Sequence, residues 1–225
     1  MAFIYSMSDM HGEIEAFKEA LSAIDLRNKE NKLILLGDYI DHEAKNFEML
    51  TFVKNLQEEY EKQVIVIAGN HEFMLLEDIA NKSATFNDKS IINWLRTLPY
   101  YFETDTQIYV HAGVDEEAGE YWKWGTEDYF FCCKYPHTIG EFEKDIIAGH
   151  IGTYAIANEA NYHKVFWDKQ SHFYIDGTTE LSKVIPILKF DTDVKSYTSF
   201  EKITNKNNGS IEWQEYTIKR GVEKL

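Results

Sequence analysis

The stretch that decides the fold runs from Val64 to Glu72 and reads VIVIAGNHE. Five apolar residues end at Gly69, and three side chains able to bind a metal or carry a proton follow directly. A short apolar run closed by glycine is typical of a strand that is buried on both faces of a parallel sheet. Because such sheets carry their chemistry in the loops beyond the carboxyl ends of the strands, Asn70, His71 and Glu72 are predicted to stand at a functional site.

Two earlier segments repeat this arrangement of a strand followed by polar residues. A first strand is predicted over 3–7 and leads into SDMHG at 8–12, and a second over 32–36 leads into GDYID at 37–41. Between them, residues 13–24 and 45–60 show the apolar spacing of helices that bury one face. Two strand–helix units in series predict parallel strands joined by right-handed crossovers.

The second half of the chain has a looser pattern. Residues 115–140 are rich in aromatic and charged side chains and are predicted to form a partly helical cap or rim over the site. Further helices are predicted over 73–80 and 90–98, a hairpin over 100–103 and 107–111, and a strand over 145–148. The remaining strands are predicted to be antiparallel, over 164–167, 173–176, 184–190 and 211–218, with a turn at Asn208-Gly209.

Length and composition predict one globular domain over residues 1–225. Hydrophobic residues make up 44% of the chain and charged residues 27%. There is no apolar run of the roughly 20 residues that a membrane helix needs, and no signal-peptide pattern, so no membrane partner and a cytoplasmic location are expected. The adjacent Cys132 and Cys133 are expected to be reduced and structural.

The net charge of −15 bears on the partners that the protein can bind. An acidic surface disfavours the phosphate backbone of nucleic acids, so no nucleic-acid partner is expected. Small phosphorylated substrates remain open, because a metal site can reverse the local field.

The predicted strand ends carry side chains suited to metal binding. The set contains two carboxylates, three imidazoles and one amide oxygen: Asp9, His11, Asp38, Asn70, His111 and His150. This mixture of oxygen and nitrogen donors, without thiolate, suits Mn²⁺, Fe²⁺ or Zn²⁺. Six ligands are too many for one ion that must also admit water, but they suit two ions that share a bridging carboxylate.

These motifs resemble the calcineurin-like metallophosphoesterases. DMHG at 9–12, GDYID at 37–41, GNHE at 69–72, HAG at 111–113 and GH at 149–150 occur in the order and rough spacing of that superfamily. Within it they look most like the phosphoprotein phosphatase branch, which includes Ser/Thr phosphatases, small phage and bacterial protein phosphatases, and diadenosine tetraphosphatases. The resemblance implies an α/β fold of four layers, in which two mixed sheets form a sandwich flanked by helices.

The resemblance also implies a role for each site residue. Asp9, His11 and a bridging Asp38 would hold one metal, and Asp38, Asn70, His111 and His150 the other, with Mn²⁺ the first choice of ion. His71 would be the general acid that protonates the leaving oxygen, and Asp41 would pair with it and keep its proton available. Asn70 would also contact the substrate. Glu72 is expected to be structural.

The pattern departs from the branch where phosphate-binding arginines are expected. His42 and Glu43 stand in place of Arg-Gly, and Thr126 stands where a second arginine is expected. We predict that His42 contacts the substrate phosphate. Either phosphate binding is relaxed, or the substrate is changed and is held by other bases: Lys123, Lys134 or Arg96.

Three functions are consistent with these observations. The first choice is a phosphoprotein phosphatase acting on Ser/Thr, with Tyr as a further option. The second is hydrolysis of dinucleoside polyphosphates or other nucleotides, and the third is a metal-retaining binding module without turnover. The aromatics at 121–131 are expected to pack in the cap, with a stacking wall for a nucleobase or a phosphotyrosine ring as the alternative. The oligomeric state is left open.

Overall fold

The structure, a computed structural model, describes residues 2–41, 46–82, 88–204 and 211–219. Eleven strands lie in these ranges. They are β1 Phe3–Met7, β2 Lys32–Leu35, β3 Val64–Val66, β4 Tyr101–Glu103, β5 Gln107–Val110, β6 Asp145–Ala148, β7 Phe166–Trp167, β8 His172–Tyr174, β9 Ile187–Asp191, β10 Ser196–Thr204 and β11 Ile211–Lys219.

The strands form two mixed sheets. The first sheet has the order β11-β10-β9-β1-β2-β3, in which β1, β2 and β3 run parallel and the other neighbours pair antiparallel. The second has the order β4-β5-β6-β8-β7, in which β5, β6 and β8 run parallel. Each sheet therefore presents several parallel carboxyl ends at one edge, where α/β proteins place their chemistry.

Helices cover the outer faces of both sheets. They are α1 Ile14–Leu21, α2 Asn46–Tyr60, α3 Asn70–Ala80, α4 Lys89–Leu95, α5 Trp122–Gly125, α6 Asp128–Cys133, α7 Thr153–Ala157 and α8 Thr179–Ser182. Short 3₁₀ turns occupy Glu61–Gln63 and Glu116–Tyr121. None of the described helices combines the length and the apolar character needed to cross a bilayer.

Three apolar clusters hold the layers together. Along β2, Leu33 and Leu35 pack with the buried residues of α1, α2 and α4. Ile34, between them, faces the other way and packs with Tyr109 and Ile147 of the second sheet. The outer face of that sheet is covered by cap residues such as Trp122 and Phe131. Since alternate residues of β2 are buried on opposite faces, the strand reads as a continuous apolar run.

The expected fold is confirmed as two mixed sheets flanked by helices. Strands β1 and β6 have the predicted bounds, whereas β2 and β3 end earlier, at Leu35 and Val66, although Leu36 and Ile67 still donate to the neighbouring strand. Helix α3 begins at Asn70 rather than Phe73. Not all of the late strands are antiparallel, because β8 pairs parallel with β6.

Strand β10 was not predicted. Its central positions include Thr198 and Ser199 between the buried Tyr197 and Phe200, so neither an apolar run nor a clean alternation marks it. The predicted turn at Asn208-Gly209 lies outside the described residues. The prediction of one domain over 1–225 stays a prediction.

Candidate metal centre

The carboxyl ends of five strands from both sheets meet at one place. The residues that follow β1, β2, β3, β5 and β6 there are the six predicted metal ligands, Asp9, His11, Asp38, Asn70, His111 and His150. Asp9 and His150 are 141 positions apart in the chain, yet the His150 amide donates to Asp9 Oδ2 at 3.1 Å. The fold therefore assembles the cluster from distant segments.

Five of these side chains form two groups that share Asp38. In one group the ligand atoms of Asp9, His11 and Asp38 lie within 4.8 Å of one another. In the other, those of Asp38, His111 and His150 do the same. A carboxylate common to both groups is the arrangement that two neighbouring divalent ions require.

Asn70 adds an oxygen to the second group. Its Oδ1 lies 2.9 Å from both His111 Nε2 and His150 Nδ1. The Nδ1–H of His111 donates to the Leu36 carbonyl at 2.8 Å, which leaves Nε2 with a lone pair when the ring is neutral. That lone pair, the Asn70 oxygen and Asp38 Oδ1, 3.4 Å from Nε2, are then three acceptors that converge. These residues fit a divalent cation, and their donor types suit Mn²⁺, Fe²⁺ or Zn²⁺.

Four of the predicted ligands adopt a left-handed backbone conformation. The φ angles are 56° at Asp9, 44° at His11, 53° at Asp38 and 66° at His150. Residues with a Cβ rarely adopt this region, which costs about 1–3 kcal/mol each, and it is concentrated at functional sites. The turns after β1, β2 and β6 are therefore shaped to direct side chains rather than to relax the backbone.

Glu72 holds the turn after β2 in place and ties it to the start of α3. Its buried carboxylate accepts from the backbone amides of Asp38 at 2.8 Å, Tyr39 at 2.9 Å and Gly69 at 2.9 Å. It thus joins the loop after β2 to the start of α3. The structural role predicted for Glu72 matches this geometry, since the side chain positions Asp38 without belonging to either ligand group.

The ionisation of the cluster is set by burial and by mutual charge. Burial opposes the protonated form of His111, but the Asp38 carboxylate outweighs it and raises the pKa of the ring to about 10. Burial likewise opposes ionisation of Asp38, but the charge on His111 holds the pKa of that carboxyl well below its usual range.

The pKa values of other buried groups in the cluster move the opposite way: those of two carboxyl groups are raised, and that of one imidazole is lowered. Burial, reinforced by the charge on Asp38, raises the pKa of Glu72 to about 7. Burial raises the pKa of Asp9 as well, and burial with the nearby His111 lowers the pKa of His150 to about 4.

His71 and Asp41 lie beside the first ligand group. Ligand-type atoms of His11, Asp41 and His71 are within 4.8 Å of one another, and the rings of His11 and His71 meet edge to face at 5.1 Å. The His71 amide donates to Asp38 Oδ1 at 3.0 Å, which fixes the start of α3 against the shared carboxylate. The structure thus places an imidazole and a carboxylate together next to the cluster, as a proton-donating pair requires.

Asp176 is a neighbour of the cluster that sequence reasoning did not select. It follows β8, is buried, and its Oδ1 accepts from the Thr178 amide at 2.6 Å. Burial, together with the charge on Asp9, raises the pKa of Asp176 well above its usual range. The only signal was the segment YIDGTTELSKVIPILKFD, whose resemblance to the closing strands of the family gave Asp176 no role.

The side chains considered as substitutes for the missing arginines are already engaged. Lys123 pairs with Glu103, and Lys134 pairs with Glu116 and donates to the Val114 carbonyl. Thr126 is buried and accepts from the backbone amide of Asp115 at 2.9 Å, so it fixes a loop. Arg96 is the C-cap residue of α4.

His42 and Glu43 lie outside the described residues. The predicted contact between His42 and the substrate phosphate therefore stays a prediction. So do the individual roles of the ligands and of the His71–Asp41 pair, for which the structure supplies the geometry.

Comparison with known proteins agrees with this arrangement. Residues 4–183 match the family described as calcineurin-like phosphoesterase. The chain belongs to this family. The family-level expectation drawn from the sequence motifs is therefore confirmed.

Relatives with curated names are symmetrical bis(5'-nucleosyl)-tetraphosphatases. The protein of Chromobacterium violaceum is 29% identical over 126 residues, which cover 49% of this chain and 43% of that protein. The protein of Actinobacillus pleuropneumoniae is 25% identical over 164 residues, which cover 67% of this chain and 55% of that protein. The chain thus spans about half the length of the curated relatives that it matches.

Solved structures share the fold at lower identity. A cold-active protein tyrosine phosphatase superposes with a TM-score of 0.64 at 18% identity, covering 94% of this chain and 78% of the other. A protein serine/threonine phosphatase from Saccharomyces cerevisiae gives a TM-score of 0.60 at 13% identity, covering 100% and 81%.

Proposed function

We propose that this metallophosphoesterase hydrolyses dinucleoside polyphosphates or closely related nucleotides. A catalytic function is supported by the two ligand groups that share Asp38, with His71 and Asp41 directly beside them. The nucleotide substrate is supported by the two relatives named above, both of which are symmetrical bis(5'-nucleosyl)-tetraphosphatases. This order reverses the one expected from the sequence motifs, where phosphoprotein hydrolysis came first.

Two divalent ions, when bound, would acidify a water molecule and offset the charge that builds on the phosphoryl oxygens. Asp9 and His11 would hold one ion, Asn70, His111 and His150 the other, and Asp38 both. The chain's own part in the reaction begins with positioning. Glu72 fixes the backbone of Asp38, so the shared carboxylate is in place before substrate arrives.

His71 is proposed to protonate the leaving oxygen. The ring lies within reach of the Asp41 carboxylate, which favours the protonated imidazole and keeps a proton available near neutral pH. For a dinucleoside tetraphosphate the leaving group is a nucleotide, whose terminal phosphate oxygen would receive that proton.

Phosphoprotein hydrolysis is the second candidate. It is supported by the GDYID and GNHE motifs, which resemble the phosphoprotein phosphatase branch. A cytoplasmic location and Mn²⁺ as the resident ion are retained as part of the proposal.

The test is a substrate panel with the Mn²⁺-loaded protein. Turnover is measured on diadenosine tetraphosphate, a phosphoserine peptide and 4-nitrophenyl phosphate, with a chelated sample as the control. We expect chelation to stop the hydrolysis of all three substrates. Without the chelator, diadenosine tetraphosphate should give the highest kcat/KM. Preference for the peptide would instead select the second candidate, and two bound ions without any turnover would leave a binding module.

A further inference from the structure

Helix α6 is anchored at two of the strand ends that carry metal ligands. The Ala112 amide, next to His111, donates to the Phe131 carbonyl at 2.8 Å. The thiol of Cys132 points at the carbonyl of Ala68, two residues before Asn70, with the sulfur 3.6 Å from the oxygen. The helix therefore cannot move independently of the second ligand group.

Tyr129 stands on α6 with most of its side chain in solvent. It is 60% exposed, while Phe131 and Cys132 on the same helix are buried. The rings of Tyr129 and Phe73 are packed edge to face, with their centroids 6.2 Å apart and their planes at 70°. The Cys133 thiol, one turn further along α6, raises the pKa of the Tyr129 hydroxyl through its electrostatic interaction with it.

Phe73 connects this pair to the site. It lies on α3 three residues after Asn70, about 4.5 Å further along the helix axis at the usual rise per residue. Residues three apart share a helix face, so Phe73 continues the face that carries Asn70. We call Phe73 and Tyr129 together the aromatic platform.

We propose that the aromatic platform stacks against the nucleobase of a nucleotide substrate whose phosphate lies at the metal centre. The proposal rests on the proposed function and names the contact that selects nucleotides. The contact would be made mainly by Tyr129, whose ring packs edge to face with Phe73. Because the ring is already held, stacking costs little side-chain entropy.

The charge around the platform favours a neutral ring over an acidic peptide. Glu77 lies one turn after Phe73 on α3, and its negative charge acts on the Tyr129 hydroxyl. Asp128 is the first residue of α6. A nucleobase is neutral and flat, and any of the bases can stack on an aromatic side chain.

The experiment compares a substrate with a base and one without. KM is measured on diadenosine tetraphosphate and on inorganic tripolyphosphate for the wild type, Tyr129→Ala and Tyr129→Phe, all loaded with Mn²⁺. We expect Tyr129→Ala to raise KM for diadenosine tetraphosphate about 10-fold, because base stacking is worth roughly that factor or more. Tyr129→Phe keeps the ring and should stay close to the wild type, and tripolyphosphate should be unaffected in both variants.

Tyr121 provides a matched control. It lies in the same cap segment with a similar exposure, 62%, but it packs against Trp124 rather than α3. Tyr121→Ala should leave KM for both substrates unchanged. Titration calorimetry with ADP adds a readout without turnover, in which Tyr129→Ala should weaken binding by a similar factor.

The outcomes separate the two proposals. If the wild type cleaves diadenosine tetraphosphate but Tyr129→Ala changes neither its KM nor ADP binding, the stacking proposal is wrong and the proposed function stands. If the wild type cleaves 4-nitrophenyl phosphate but not diadenosine tetraphosphate, both are overturned. If Tyr121→Ala raised KM and weakened ADP binding as much as Tyr129→Ala, the effect would belong to the cap in general. That result would also refute the stacking proposal.

Discussion

At the scale of single residues, Asp38 is the residue that links the two ligand groups of the site. It belongs to both ligand groups, it has a left-handed backbone, and its carboxylate accepts from the His71 amide. Its own amide donates to Glu72. A change of its charge alone therefore acts on both predicted ion sites, while its size and backbone contacts can be kept.

Asp38→Asn should abolish turnover. The amide retains the shape of the side chain but lacks the charge that two ions share, so metal content should fall from two ions toward none and kcat/KM by more than about 100-fold. Metal analysis and 4-nitrophenyl phosphate hydrolysis measure both effects. Asp25→Asn, on an exposed aspartate paired with Arg27, is the matched control and should behave as the wild type. Near wild-type turnover in Asp38→Asn would refute the bridging role.

Asp41→Asn tests the proton donor without replacing a predicted ligand. Removing the carboxylate beside His71 disfavours the protonated ring, so the alkaline limb of the kcat/KM profile should move to lower pH. The loss of kcat should be about 100-fold for phenyl phosphate and smaller for 4-nitrophenyl phosphate, whose leaving group needs less protonation. Equal losses on the two esters, with an unmoved pH profile, would exclude the acid role and leave Asp41 a structural one.

At the scale of elements, sequence periodicity located the strands whose two faces are both buried in apolar side chains. The apolar runs before Asp9, Asp38 and Asn70 mark their strands, because such runs need no alternation. The left-handed turns that aim the ligands have a much weaker signal, since Asp and His are enriched in this backbone region but most Asp and His residues lie outside it.

The cap was harder to predict than the sheets. Its position over 115–140 follows from composition, but which aromatics are buried depends on packing against the second sheet. Trp122 and Phe131 fill the outer face of that sheet, whereas Tyr121, Trp124 and Tyr129 remain exposed. Likewise, the lysines that could replace arginine could not be excluded until their acidic partners, distant in sequence, were known.

Gly149→Ala tests the contact between the ends of β1 and β6. A Cβ built there would lie 2.1 Å from both Asp9 Oδ2 and Ser8 Oγ, so these side chains or the two strand ends must shift. We expect a loss of about 1–3 kcal/mol in the free energy of unfolding, by overpacking, together with reduced metal content. Urea titration of the metal-free protein measures the first and metal analysis the second. Unchanged values for both would show that the strand ends separate freely.

At the scale of the whole molecule, metal binding should be coupled to protons and to stability. With its pKa raised to about 10, His111 carries a proton at pH 7 that an ion must displace. Mn²⁺ affinity should therefore rise from pH 6 to pH 8, and calorimetry in buffers of different ionisation enthalpy should detect proton release. Saturation at 100 times Kd should also stabilise the fold by about 2.7 kcal/mol, seen as a higher Tm. A Mn²⁺ affinity that is independent of pH would contradict the predicted coupling between metal binding and proton release.

The position of β9 beside β1 has a practical consequence for anyone dividing this chain. The family match ends at residue 183, but β1 is flanked by β2 on one side and by β9, residues Ile187–Asp191, on the other. A fragment truncated at the family boundary would leave the inner strand of the sheet with a bare, apolar edge. Such an edge recruits other chains, so the truncated product should aggregate when expressed, although every residue of the proposed metal centre would still be present.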